Sequence, residues 1–188
     1  MSTKDSPTPD PAPLVNSTVD RAGSPGLTGI DPRGPRFGAA ITSVLLLTVI
    51  GLGLGGADSL PATVAERASQ PAFILFSAIA VLFAWGAFAG IGRHPYGLIF
   101  KHVIRPRLST PSHLEDPRPP TFSQGVGFVI TAVGIVLQLI AVPFGLVIFA
   151  GLAFIAAFLN AVFDYCLGCQ LHVLLVRAGV FGRTRSTS

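Results

Sequence analysis

From Pro119 to Phe163 the chain runs for forty-five residues without a charged side chain. At about 1.5 Å per residue a single helix of that length would reach roughly 68 Å, more than twice a hydrocarbon core of about 30 Å. The run must therefore fold back on itself. "VPFG", Val142 to Gly145, is the Pro–Gly break near its middle, and it predicts one spanning helix over 122–142 and another over 145–167. Two further uncharged runs precede it. Phe37 to Ala57 is long enough to span, and so is the stretch between Arg67 and Arg93, where Pro71 suits a first helical position. The expected fold is all-α: a polytopic membrane protein with four transmembrane helices over 37–57, 71–92, 122–142 and 145–167.

Composition agrees. Half of the residues are hydrophobic and 12% are charged, against roughly 25% in soluble domains. The net charge of +4 comes from a few clusters rather than a compact basic face interleaved with aromatics, so nucleic acid is not an expected partner. The lipid bilayer is. Residues 1–36 are rich in Pro, Ser, Thr and Asp and are expected to form a disordered tail, because they hold too little apolar surface to offset chain entropy. "DPRGPRF" at its end is expected to stop any helix, and 177–188 forms a second, basic tail.

The basic residues set the expected orientation. With both termini on one side, that side collects Lys4, Arg21, Arg33, Arg36, Arg93, Lys101, Arg105, Arg107, Arg118, Arg177, Arg183 and Arg185, and the other keeps Arg67. Cell-membrane insertion with both termini and the loop 92–121 in the cytoplasm follows. Within that loop, Tyr96, Ile99, Phe100 and Val103 recur at helical spacing, which suits a short amphipathic helix in the headgroup region. Gly51/Gly55 and Gly86/Gly90 form GxxxG pairs, and Ala153, Ala157 and Ala161 form a small-residue stripe; all are read as helix packing.

Four segments in order, "DPRGPRFGAAIT", "HPYGLIFKHVIRPRL", "LEDPRPPTFSQGVG" and "FLNAVFDYCLGCQL", resemble a bacterial membrane family designated domain of unknown function 4395. The resemblance spans about residues 30–176. It implies a four-helix membrane module with a CxxC on the last helix and supplies no activity.

The chemistry-bearing stretch is "NAVFDYCLGCQLH", with the chain's two cysteines, Cys166 and Cys169. Positions three apart share a helix face, so the sulfurs can meet. A c-type haem would need His directly after the second Cys, where Gln170 stands. A metal site using Cys166, Cys169 and His172 with His94, His102 or His113 has suitable ligand types but not the usual spacing. On a continuous helix four, the C-terminal helix end and the Asp164 charge would both hold the thiols protonated. Gly168 offers a break that would put Cys169 near a new N-terminus, where thiolates are favoured. Asp164 is either a proton acceptor and orienting group or an anchor pairing with a basic residue of the 92–121 loop.

The expected function is that of a small integral membrane protein with a dithiol at the cytoplasmic end of helix four. It would carry out thiol–disulfide redox or sulfur-related electron transfer, with Cys166, Cys169 and Asp164 as catalytic residues and a cytoplasmic thioredoxin-like protein as partner. A static disulfide is not expected in a reducing compartment. The alternative is a non-catalytic accessory subunit of a larger membrane complex, with the cysteines as packing. A transporter is disfavoured, since Gln138 and Asn160 are among few polar groups on the helices. The sequence names no cofactor, and enzymatic activity is left open.

Overall fold

The computed structural model describes residues 29–109 and 114–179. Four long apolar helices make up the bundle: α1 (Arg33–Leu54), α3 (Pro71–Ala89), α5 (Arg118–Leu139) and α6 (Gly145–Phe163). Three short helices accompany them: α2 (Val64–Ala68), α4 (Pro95–Ile99) and α7 (Leu167–Arg177). Nineteen to twenty-two residues give lengths of about 28–33 Å, enough to cross a bilayer. At most 28% of each apolar stretch is buried inside the protein, and Phe88 is 81% exposed. An outer surface this apolar requires lipid around it.

The long helices close a ring in which α1 packs on α3, α3 on α5, α5 on α6, and α6 back on α1. Its centre is Leu46 and Val49 of α1, Ala72, Phe76 and Ile79 of α3, and Leu146, Ala150 and Ala153 of α6. Close approach depends on Gly134, where a Cβ would lie 2.8 Å from both Phe76 and Phe149, and on Gly86, where it would lie 2.7 Å from Gln124. Nothing lies within 4 Å of a Cβ at Gly51 or Gly55. The packing expected of that pair is therefore absent among the described residues, because α1 turns this face outward.

The helix boundaries depart from expectation in three informative ways. α1 starts at Arg33 inside "DPRGPRF", with Pro32 as its cap and Pro35 in its first turn. First-turn amides have no intrahelical partner, so these prolines cost nothing there. The preceding residues are ordered too: Ile30 and Glu115 exchange two backbone hydrogen bonds of 2.9 Å, tying the approach to α1 to the approach to α5. Residues 1–28, expected as a disordered tail, and 180–188 lie outside the described residues. α5 ends at Leu139, and the turn to α6 passes through left-handed Ala141 and Phe144. Gly145 then admits the Leu137 side chain, 2.6 Å from where a Cβ would stand. Finally, α6 ends at Phe163 rather than 167, and the chain restarts as α7.

One end of the bundle holds the short α2. Thr63 and Glu66 cap it reciprocally. Arg67, 7% exposed, donates from Nε to Thr63 O at 3.2 Å and from its guanidinium to Ala62 O at 3.1 Å. Gln138 donates to Gln70 across α5 and α3, so it is engaged structurally rather than facing a pathway. The opposite, basic end carries Arg33, Arg36, Arg93, Lys101, Arg105, Arg107, Arg118 and Arg177, the segment 91–107, and α7.

Candidate functional site: the Cys166–Cys169 pair and the basic-end cleft

α6 stops because Asp164 adopts the left-handed conformation, φ 57°, which Asp and Asn tolerate better than most residues. Tyr165 N–H then closes on Leu159 O at 3.2 Å. Two residues on, Cys166 is extended (φ −86°, ψ 100°) and caps α7. Its sulfur accepts the Cys169 N–H at 3.2 Å, in the way a Ser or Asp oxygen caps a helix. The Gln170 N–H closes the first turn on Cys166 O at 3.0 Å. The two sulfurs are joined as a disulfide, with Cα atoms 5.2 Å apart, inside the usual disulfide range of about 4.4–6.8 Å.

The break therefore precedes the cysteines rather than falling at Gly168. Gly168 has a different task. A Cβ there would lie 2.7 Å from Ser123 Cα, so glycine lets the first turn of α7 seat directly on α5. That contact brings Ser123 Oγ to 3.5 Å from Cys166 Sγ. No pattern in the sequence marks Ser123 as a neighbour of the cysteines, although it lies inside "TFSQGVG".

Asp164 is 62% exposed at its side chain and pairs with Arg36 Nε at 3.5 Å, Arg36 itself being 40% exposed. Arg36 also donates to Ala161 O at 3.4 Å. The cation thus comes from the start of α1, not from the 92–121 loop as the anchoring alternative expected. The pairing offsets the carboxylate charge two residues before Cys166. The sulfur sits at a helix N-terminus, not in the last turn of a continuous helix. Both of the features expected to hold the thiols protonated are thereby altered.

His172 packs against Phe122 with ring centres 5.3 Å apart and the ring planes tilted by 58°. His102 Nδ1 lies 2.8 Å from Leu98 O. His94, 3% exposed, uses both nitrogens: Nδ1 accepts the Tyr96 N–H at 3.3 Å, which leaves Nε2–H to donate to Leu82 O at 3.1 Å. Burial lowers its pKa below the ordinary 6.5, against a smaller opposing effect of the Leu82 carbonyl. The ring is a neutral cap for α4. His113 lies outside the described residues, and among those described no group of three His, Cys, Asp or Glu side chains gathers around a potential metal position.

Phe122 and His172 also form part of the wall of a cleft of about 1210 Å³. It is enclosed by the first turns of α1, the segment 90–105 and the first half of α5. Tyr96 and Phe100 hold that segment against α1. Tyr96 lies over Gly38, Phe100 over Gly34, and the Phe37 and Phe100 rings are 5.9 Å apart. The expected amphipathic stripe is split: Tyr96 and Phe100 face inward, while Ile99 and Val103 are exposed together with Leu98.

No curated protein and no solved structure matches the chain. Residues 30–177, the stretch that builds the ring, the cleft and the cysteine cap, match the model of the family described as Domain of unknown function (DUF4395), and the chain belongs to that family.

Proposed function

We propose that this protein is a membrane thiol–disulfide redox protein whose working groups are Cys166 and Cys169. The observation that carries the reading is Cys166 at the N-cap of an eleven-residue helix, its sulfur accepting the Cys169 amide. A helix N-terminus and a donated N–H both favour a thiolate over a thiol, which makes the sulfur a better nucleophile and leaving group near neutral pH. Starting from the disulfide, the thiolate of a cytoplasmic thioredoxin-like partner attacks one sulfur and releases the other as thiolate. A second partner thiol resolves the mixed disulfide. The protein gains two electrons and two protons, and the partner leaves as a disulfide. The reduced pair then returns both electrons to a second disulfide or a lipid-soluble acceptor. Asp164 orients the cap through its left-handed turn and its pairing with Arg36.

Redox titration with a thiol-counting reagent tests this. Two electrons per chain should be taken up at one definite potential, and Cys166→Ser should abolish the step. Asp164→Asn should retain it with a shifted midpoint. If the pair does not cycle, and the double Cys→Ser variant supports cellular function, the cysteines are packing and the chain is an accessory subunit of a larger membrane complex.

The reading places the basic end in the cytoplasm. Its support is the charge bias, with Arg67 alone among the described cations at the far end. In a variant lacking the native cysteines, a cysteine replacing Ala62 should react with an impermeant reagent from outside the cell, and one replacing Ser109 should not. The reverse pattern sinks the assignment.

A further inference from the structure

The cleft at the basic end has a charge pattern that the dithiol chemistry does not use. Arg93, Lys101, Arg105 and Arg118 line it from three separate segments and are all exposed. None of them takes part in an ion pair among the described residues. Lys101 and Arg105 stand four positions apart, at the wide helical turn Phe100–Ile104 and the residue after it, so they share a face. Asp31 is the acid lining the cleft. Its Oδ1 accepts the Arg33 N–H at 3.0 Å, and its Oδ2 is buried without a hydrogen-bond partner, an acceptor suited to a hydroxyl donor. Four cations against one carboxylate leave the site strongly positive.

The remainder of the lining is apolar and leads toward the lipid. Val126 and Ile130 of α5 continue the cleft along the helix, and Val129 beside them is 60% exposed on the surface that meets the bilayer. A small anion would satisfy the cations and leave this strip bare. An acyl chain would cover it. At about 1210 Å³ the space exceeds the roughly 300–1,000 Å³ typical of small-molecule sites, and it suits a headgroup with the upper part of a chain.

We propose that this cleft is a specific binding site for an anionic phospholipid. Its phosphate is held by Arg93, Lys101, Arg105 and Arg118, and its acyl chain lies along Val126 and Ile130 of α5. The site differs from general attraction of basic loops to an acidic leaflet because the four cations line one walled space with an apolar exit. It stands whether or not Cys166 and Cys169 cycle, since neither sulfur lines the cleft.

The test uses the full chain purified in a neutral detergent, with lipid binding followed by native mass spectrometry and by thermal denaturation. Phosphatidylglycerol should bind about tenfold or more tightly than phosphatidylcholine, and Lys101→Gln with Arg105→Gln should remove most of that preference. Arg118→Gln is a second variant, should the first not fold, and should weaken binding in the same direction. Arg177→Gln removes an exposed charge from α7 away from the cleft and should leave the affinity within about twofold. Equal binding of the two lipids, or an equal loss from Arg177→Gln, overturns the proposal. So does full displacement of phosphatidylglycerol by millimolar inorganic phosphate, which would make the site one for a soluble phosphate.

Discussion

The two ends of the bundle spend their polar groups in opposite ways. At the α2 end, the Arg67 guanidinium is turned onto the Ala62 and Thr63 carbonyls, Gln138 is bonded to Gln70, and Phe144 N–H reaches Ala57 O at 3.0 Å. Each polar group there closes a loop. At the basic end, four cations stand exposed around a cleft, a helix breaks at a left-handed aspartate, and a sulfur caps the helix that follows. Buried polar groups are costly unless paired, so an end that pairs all of them internally is built for stability. An end that leaves charges and a capped sulfur at its surface is built to meet something else. The difference supports placing the proposed function at the basic end of a molecule whose middle is almost featureless hydrocarbon.

Perturbing each end should bring this out. The largest effect is expected from Gly168→Ala. The new Cβ would meet a backbone atom, Ser123 Cα, at 2.7 Å, so no side-chain rotation relieves it. Overpacking of this kind costs about 1–3 kcal/mol, and α7 should be pushed off α5. Thermal denaturation should show the loss and redox titration a moved midpoint. An unchanged midpoint would mean that the seat on α5 does not position the sulfur cap.

Arg67→Met should be somewhat milder and confined to its own end. The Ala62 carbonyl loses its side-chain donor and the Thr63 carbonyl keeps only the backbone N–H of residue 67, at a cost of about 1–2 kcal/mol in total. The redox midpoint should stay where it is. If it moves, the two ends are coupled through the bundle and the contrast drawn between them fails.

The smallest effect concerns His94, which ties α4 to the Leu82 carbonyl of α3. Its pKa is lowered in the fold, by burial first. The unfolded chain therefore binds the proton more readily, and stability rises with pH through this group. Its contribution is fully present above about pH 6.5 and is lost as the pH falls through the folded-state value below that. Melting temperatures measured between pH 7.5 and 5 should decline on the acid side, less steeply in His94→Gln. A decline of equal slope in that variant would assign the pH response to other groups.

Much of the architecture is legible in the chain because membrane insertion is a one-dimensional problem. Length and absence of charge decide whether a segment can span, and both can be counted. Pro71 and Gly145 even mark the starts of α3 and α6 where expected. The misplaced boundaries have local causes. Pro32 and Pro35 read as breakers, yet they fall where helix amides are unpaired. The last turn expected after Phe163 is cut short by Asp164, whose left-handed state no periodicity reveals.

The sequence by itself determined four apolar spans, the clustering of cations at one end, and a CxxC spacing that lets two sulfurs meet. It left open whether those sulfurs finish one helix or begin another, and tertiary structure decided this. Asp164 turns, Arg36 from the far start of the chain pairs with it, and Gly168 admits Ser123 so that α7 docks on α5. Each contact joins residues more than forty positions apart, which no local pattern encodes. The same holds for the cleft: Arg93, Lys101 and Arg118, from separate segments, come to line one space where Tyr96 and Phe100 pack over Gly38 and Gly34. Hydropathy acts along the chain, whereas a site forms by convergence across it, and convergence is set by which surfaces can pack closely.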